Sequence, residues 1–158
     1  MFPIAHIGIT LFFASFFSLS FFYVAIASLL PDIIDKPLAI IGLAPCGRHI
    51  GHTLLVVLII PSLTYLITRK KTISLSILFG CWMHLLLDSP GFIPWFYPFV
   101  PYDFSFCPAF GGYNLFTFIT DSMGLASIVF LFYTNTWFRE FVLDIIDNIK
   151  SYIPRRKS

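Results

Sequence analysis

Charge is what this chain has least of: 11% of its 158 residues are Asp, Glu, Lys or Arg, against about 25% in a soluble domain. Water is therefore not its main solvent. Apolar residues make up 58% of the sequence and fall in runs near the length of about 20 residues that a helix needs to cross a bilayer. The net charge of +2 is small and the Lys and Arg residues form no stripe, which argues against nucleic acid as a partner. The N-terminus lacks the basic region and small-residue cleavage site of a signal peptide, so its first apolar run is expected to be retained. No internal repeat is present, and the length suits one helical domain. Cysteine is scarce as well. Cys46, Cys81 and Cys107 match no zinc-ribbon spacing, so neither a disulfide framework nor a cysteine metal site is expected. Cys46 and Cys107 do fall in loops on one predicted side, which leaves their pairing as the lesser alternative.

Residues 4 to 30 form the first apolar stretch, closed by Pro31, since proline commonly follows a helix end. A continuous helix from His6 to Asp32 would be about 39 Å long, more than a hydrocarbon core of about 30 Å. The segment must therefore tilt, or break near Ser18 in the cluster Ser15, Ser18 and Ser20. Residues 31 to 48, with Pro31, Pro37, Gly42, Pro45 and Gly47, read as a loop. A second span runs from about His49 to Thr68, a basic turn follows at Arg69, Lys70 and Lys71, and a third helix covers about 72 to 88. The stretch 89 to 112 is rich in proline, glycine and aromatics, a composition that suits an interfacial cap and interrupts any helix. The last span covers about 114 to 137 and contains Asp121.

Beyond that span, Phe138, Phe141, Val142, Ile145, Ile146, Ile149 and Ile153 recur at helical spacing, with Arg139, Glu140, Asp144, Asp147 and Lys150 on the other face. This pattern predicts a helix lying in the membrane surface. The fold expected is all-α: a small polytopic membrane bundle with three to five embedded helices over residues 1–137, then an amphipathic interfacial helix and basic tail over 138–158. Lys and Arg concentrate at the 69–71 turn and the C-terminal segment, whereas Lys36 and Arg48 are alone on the opposite side. The positive-inside rule then puts the C-terminus in the cytoplasm and loops 31–48 and 89–112 outside.

The outward segment ends hold most of the unusual residues: LLPDIIDKP with Asp32 and Asp35, GRHIGHTLL with Arg48, His49 and His52, and HLLLD with His84 and Asp88. Asp32 and Asp35 are three apart, while Arg48 and His52, and His84 and Asp88, are four apart. Each pair shares a helical face wherever the helix extends that far. Mixed imidazole and carboxylate donors suit zinc, manganese or iron better than magnesium or calcium. Such an ion supplies a nucleophile at neutral pH for attack on an ester, amide or phosphoester. Neighbouring carboxylates can orient the histidines or accept a proton, and Arg48 can hold an anionic group or offset carboxylate charge.

Taken singly, Asp32, Asp35, Arg48 and Asp88 are ordinary interfacial or capping residues, and a histidine in a span can simply bond a neighbouring helix. The coincidence carries the weight, because three of the four histidines and three of the eight acidic residues collect at one end. Asp121 stands apart, inside a span, with a substrate-facing or a helix-bonding role open to it.

The order AHIGITL, LLPDIIDKPL, GRHIGHTLL and HLLLD, followed by the aromatic WFYPF, resembles the membrane-bound metal-dependent hydrolase family that contains the YdjM-type inner-membrane proteins. The LPDxxDKP and GRxxxHTLL forms look closest to its archaeal versions. The resemblance covers about residues 3 to 100 and implicates His6, Asp32, Asp35, Arg48, His52, His84 and Asp88, but not His49. His6 joins the others only if the first segment is a hairpin of short helices turning near Ser18, the path favoured here. The resemblance implies a divalent ion, zinc or else manganese or iron, held by His52, His84, Asp32, Asp35, Asp88 and His6, with Asp32, Asp35, Arg48 and Asp88 in catalysis. The function expected is hydrolysis of a lipid or another substrate reaching the interface, with membrane lipids as partners. A non-catalytic metal-binding or ion-transporting protein is the competing class.

Overall fold

A computed structural model describes residues 2–107, 112 and 114–152. Among them the secondary structure is entirely helical: α1 (Pro3–Ala14), α2 (Phe21–Ala27), α3 (Leu30–Ile40), a 3-10 turn (Ile50–His52), α4 (Leu54–Thr68), α5 (Lys71–Asp88), α6 (Leu115–Thr134) and α7 (Thr136–Tyr152). The all-α expectation holds. One helix, α6, is long and apolar enough to cross a membrane, and 22% of its span is buried within the protein. Its apolar side chains thus face outward, as do Phe16, Ile67, Phe99 and Trp137 elsewhere.

The first apolar stretch is a hairpin. Ser15 caps α1 with its hydroxyl on the Phe12 carbonyl, and the Ser20 N–H is taken by the Ser76 hydroxyl on α5. Serine offers the backbone such alternatives to helix hydrogen bonds, so the chain turns there and the start of α1 returns to the end of α2. Two expectations need correction nearby. Residues 31 to 40 are helix and not loop, because Pro31 occupies the first turn of α3, where its missing N–H and fixed φ cost nothing. The second long helix begins at Leu54 and not at His49, with Thr53 as its N-cap. The amides of His49, Gly51 and His52 are bound to Asp35, so this stretch forms a 3-10 turn and not the first turn of α4. Arg48 and His52 consequently share no helical face.

Helices α1 and α6 meet at glycine. A Cβ on Gly8 would lie 2.0 Å from the Gly124 carbonyl oxygen, and one on Gly124 would lie 2.5 Å from that of Ile4. Such small-residue seams let helix backbones approach closely. Below this contact, Leu11, Ala14, Val24, Leu131 and Phe138 form one apolar core, while Ala27, Val57, Cys81, Leu85 and Ile93 form a second. The last helix does more than lie on a surface: Phe138 is buried, and its ring meets Phe21 at 5.3 Å. Ile145, Ile146 and Ile149 remain exposed. Ile153 and the basic tail fall outside the described residues.

Cys46 and Cys107 form a disulfide with Cα atoms 5.8 Å apart, contrary to the expectation that the cysteines stay unpaired. The separation of 61 residues hid the pair from any local spacing rule. Closing a loop of that length contributes about 2–4 kcal/mol. It ties the segment before Arg48 to the far end of the aromatic cap.

Candidate metal centre

Four elements bring ionisable side chains to one buried point. The hairpin carries His6 there on α1, α3 carries Asp32 and Asp35, the 3-10 turn carries His52, and α5 carries His84 and Asp88. His6, Asp35, His52 and His84 are fully buried, and Asp32 and Asp88 nearly so.

The two central histidines are held by their Nδ1 atoms. His84 Nδ1 lies 2.6 Å from the Ser28 carbonyl oxygen, which can only accept, so that nitrogen carries the hydrogen. His52 Nδ1 lies 2.7 Å from Asp35 Oδ2, an oxygen that already accepts from the amides of His49 and His52. In the neutral rings both Nε2 atoms are therefore bare, and they face each other at 3.2 Å. Two lone pairs in that position repel unless a cation lies between them.

The surrounding oxygens complete the arrangement. Asp32 Oδ1 lies 3.7 Å from His52 Nε2 and 3.9 Å from His84 Nε2. Asp88 Oδ2 lies 3.7 and 3.9 Å from the same two atoms. Donors around a tetrahedral zinc at 2.0–2.1 Å stand about 3.3–3.4 Å apart, so these separations need contract by only a few tenths of an ångström to fit an ion. Two sets of donor atoms lie within 4.8 Å of one another: His52, His84 and Asp88, and His6, Asp32 and His84.

His52 sits in the turn before α4, where burial opposes its charged form. Its bond to Asp35 and the carboxylates of Asp88 and Asp32 outweigh this and hold its pKa above the usual histidine value. A proton and an ion therefore compete for the place between the rings. Ion uptake releases the proton, so affinity rises with pH.

Asp35 is the site residue whose expected part changes most. Its oxygens accept from the amides of His49 (2.6 Å), Gly51 (2.7 Å) and His52 (3.1 Å) and from the His52 ring. Three of these donors fall on Oδ2 and one on Oδ1, and through them Asp35 orients His52. Exchanging Asp35 for Asn should cost about 10–100-fold in metal affinity, the range for such outer partners, measured by competitive zinc titration. An unchanged constant would remove its orienting role.

Arg48 pairs with Asp88, its Nη2 at 2.8 Å from Oδ2, and its Nη1 lies 3.4 Å from the Phe92 carbonyl. Lys36 does the same for Asp32, Nζ to Oδ2 at 2.6 Å. Sequence reasoning missed Lys36, although the i, i+4 spacing within DIIDK was a usable signal. The Ser28 carbonyl had no signal at all. His49 stays outside, packed against Tyr97 and Phe104 at 4.7 and 5.0 Å. Asp121 belongs to neither donor set, and its Oδ1 is buried without a hydrogen-bond partner among the described residues.

No curated protein and no solved structure matches the chain. Residues 3–145, nearly the whole chain and more than the motifs alone span, match the family described as YdjM inner membrane protein. With its outward-facing apolar helix and its order of motifs accounted for, the chain belongs to the YdjM inner membrane protein family.

Proposed function

We propose that this protein is a multi-pass membrane hydrolase that uses a divalent metal ion at its extracytoplasmic end to cleave a lipid or another substrate reaching the interface. The observation that carries this reading is the pair of Nε2 atoms 3.2 Å apart, each ring locked through its other nitrogen. His52, His84 and Asp88 would hold the ion. When bound, it supplies Lewis acidity and a nucleophile at neutral pH, and zinc, manganese or iron suits the mixed donors. Asp32, the most exposed of the buried carboxylates at 9%, takes the proton of an attacking water. Arg48 and Lys36 offset carboxylate charge and hold an anionic substrate group at the rim.

The proposed topology embeds α1 with α2, α4, α5 and α6, leaving α3 and the distal half of α7 at the two interfaces. Two observations support the outward orientation: basic residues concentrate at the opposite end, and the Cys46–Cys107 disulfide belongs to an oxidising compartment.

The test uses full-length protein in detergent, stripped and reloaded with zinc, then mixed with vesicles of phosphatidylethanolamine and phosphatidylglycerol and with short acyl esters and amides. Zinc-dependent product by mass spectrometry, abolished by Asp32→Asn, is expected. No product above the chelated control on the whole panel would overturn the hydrolase reading and leave a non-catalytic metal-binding protein.

A further inference from the structure

The donors around His52 and His84 leave His6 unexplained. It is fully buried, and neither ring nitrogen has a hydrogen-bond partner among the described residues. Its nearest carboxylate contact is Nε2 to Asp88 Oδ1 at 3.4 Å, longer than a good N–H···O bond. Leaving a buried polar group in that condition is unfavourable.

Asp88 shows what His6 faces. Its two oxygens are divided: Oδ2 is turned to His52, His84 and Arg48, and Oδ1 to His6. The two donor sets have His84 in common, yet His84 has one nitrogen to give, because Nδ1 is spent on Ser28. Two ions cannot share that atom. They can share a carboxylate, one oxygen each.

We propose that the site holds a second divalent ion of the zinc or manganese class, ligated by His6 Nε2, Asp88 Oδ1 and Asp32, with Asp88 bridging it to the ion on His52 and His84. The inference rests on reading the cluster as a metal centre. His6 and His84 are stacked, with centroids 4.0 Å apart and planes within 16°. Parallel imidazoles that each hold an ion in their own plane set the ions about one stacking distance apart, and two-ion hydrolytic centres use about 3.5–4 Å. Each ion then has three protein donors and an open position, the pattern of catalytic rather than structural zinc. Asp32 becomes a ligand in this arrangement, and a second ion takes over part of the charge stabilisation otherwise left to Arg48 and Lys36.

The experiment is metal stoichiometry on the full-length protein in detergent, loaded with zinc and freed of excess by gel filtration. Two zinc ions per chain are expected in the wild type and one in His6→Ala. One ion in both would overturn the second site and leave the proposed function standing, whereas none in the wild type would overturn both. Manganese-loaded wild type keeps the question open to test if His6→Ala fails to fold. A spin-coupled pair signal in electron paramagnetic resonance supports two ions, and an isolated six-line spectrum at saturating manganese overturns them.

Discussion

Alanine at His52 or at His84 is expected to cost purified protein the zinc ion held between those two rings, with affinity there falling by more than the roughly 100-fold that bounds changes to outer partners. Each histidine offers the site one bare nitrogen, and no other described donor stands within 3.2 Å of its partner's. The remaining carboxylates would bind an ion weakly, because Asp88 is paired with Arg48 and Asp32 with Lys36. Thermal unfolding gives a second readout. A ligand that binds the native state at 100 times its dissociation constant stabilises it by about 2.7 kcal/mol, so zinc should raise the melting temperature of the wild type by more than that of either variant. Full zinc retention by both variants would abolish the proposed site.

The second large effect lies away from the metal. Gly8→Val should destabilise the protein by about 3 kcal/mol or more, at the upper end of overpacking costs. The added Cβ lands 2.0 Å from a backbone oxygen that cannot rotate away. Helix α1 must then part from α6, carrying His6 with it. At about 2–4 °C per kcal/mol for a chain of this size, the melting temperature should drop by roughly 6–12 °C. Cys81, a buried free thiol, reports the event through a thiol-reactive dye. Gly112→Ala, where a Cβ meets nothing within 4 Å, should leave the transition where it is. Equal melting temperatures for Gly8→Val and wild type would mean that the seam is not a tight contact.

What could be read from the sequence follows the range of the forces involved. The starts of α5 and α6 were legible: the basic turn at Arg69 to Lys71 precedes the first, and the second opens next to the expected residue 114, where Asn114 caps it. The turn near Ser18 was legible because the apolar stretch was too long for one helix. The start of α4 was not, since a carboxylate 14 to 17 residues upstream takes its amides, and no propensity encodes that. The same distance concealed the four donors that Asp35 accepts from the turn. His6 was placed by the family resemblance and by the hairpin together. Lys36 went unnoticed because a lysine at a span end is ordinary.

The histidines and aspartates of the centre come from α1, α3, the 3-10 turn and α5, so an ion bound there would fasten together residues 6 through 88. It would work as a rivet at one end of the bundle, beside the Cys46–Cys107 bond. The other end is closed by interleaved phenylalanine rings of α1, α2, α6 and α7, which neither chelator nor reductant touches. The molecule is thus secured by two unlike fastenings. Conditions that strip metal and reduce thiols would unlatch the chemical end first and leave the aromatic end shut.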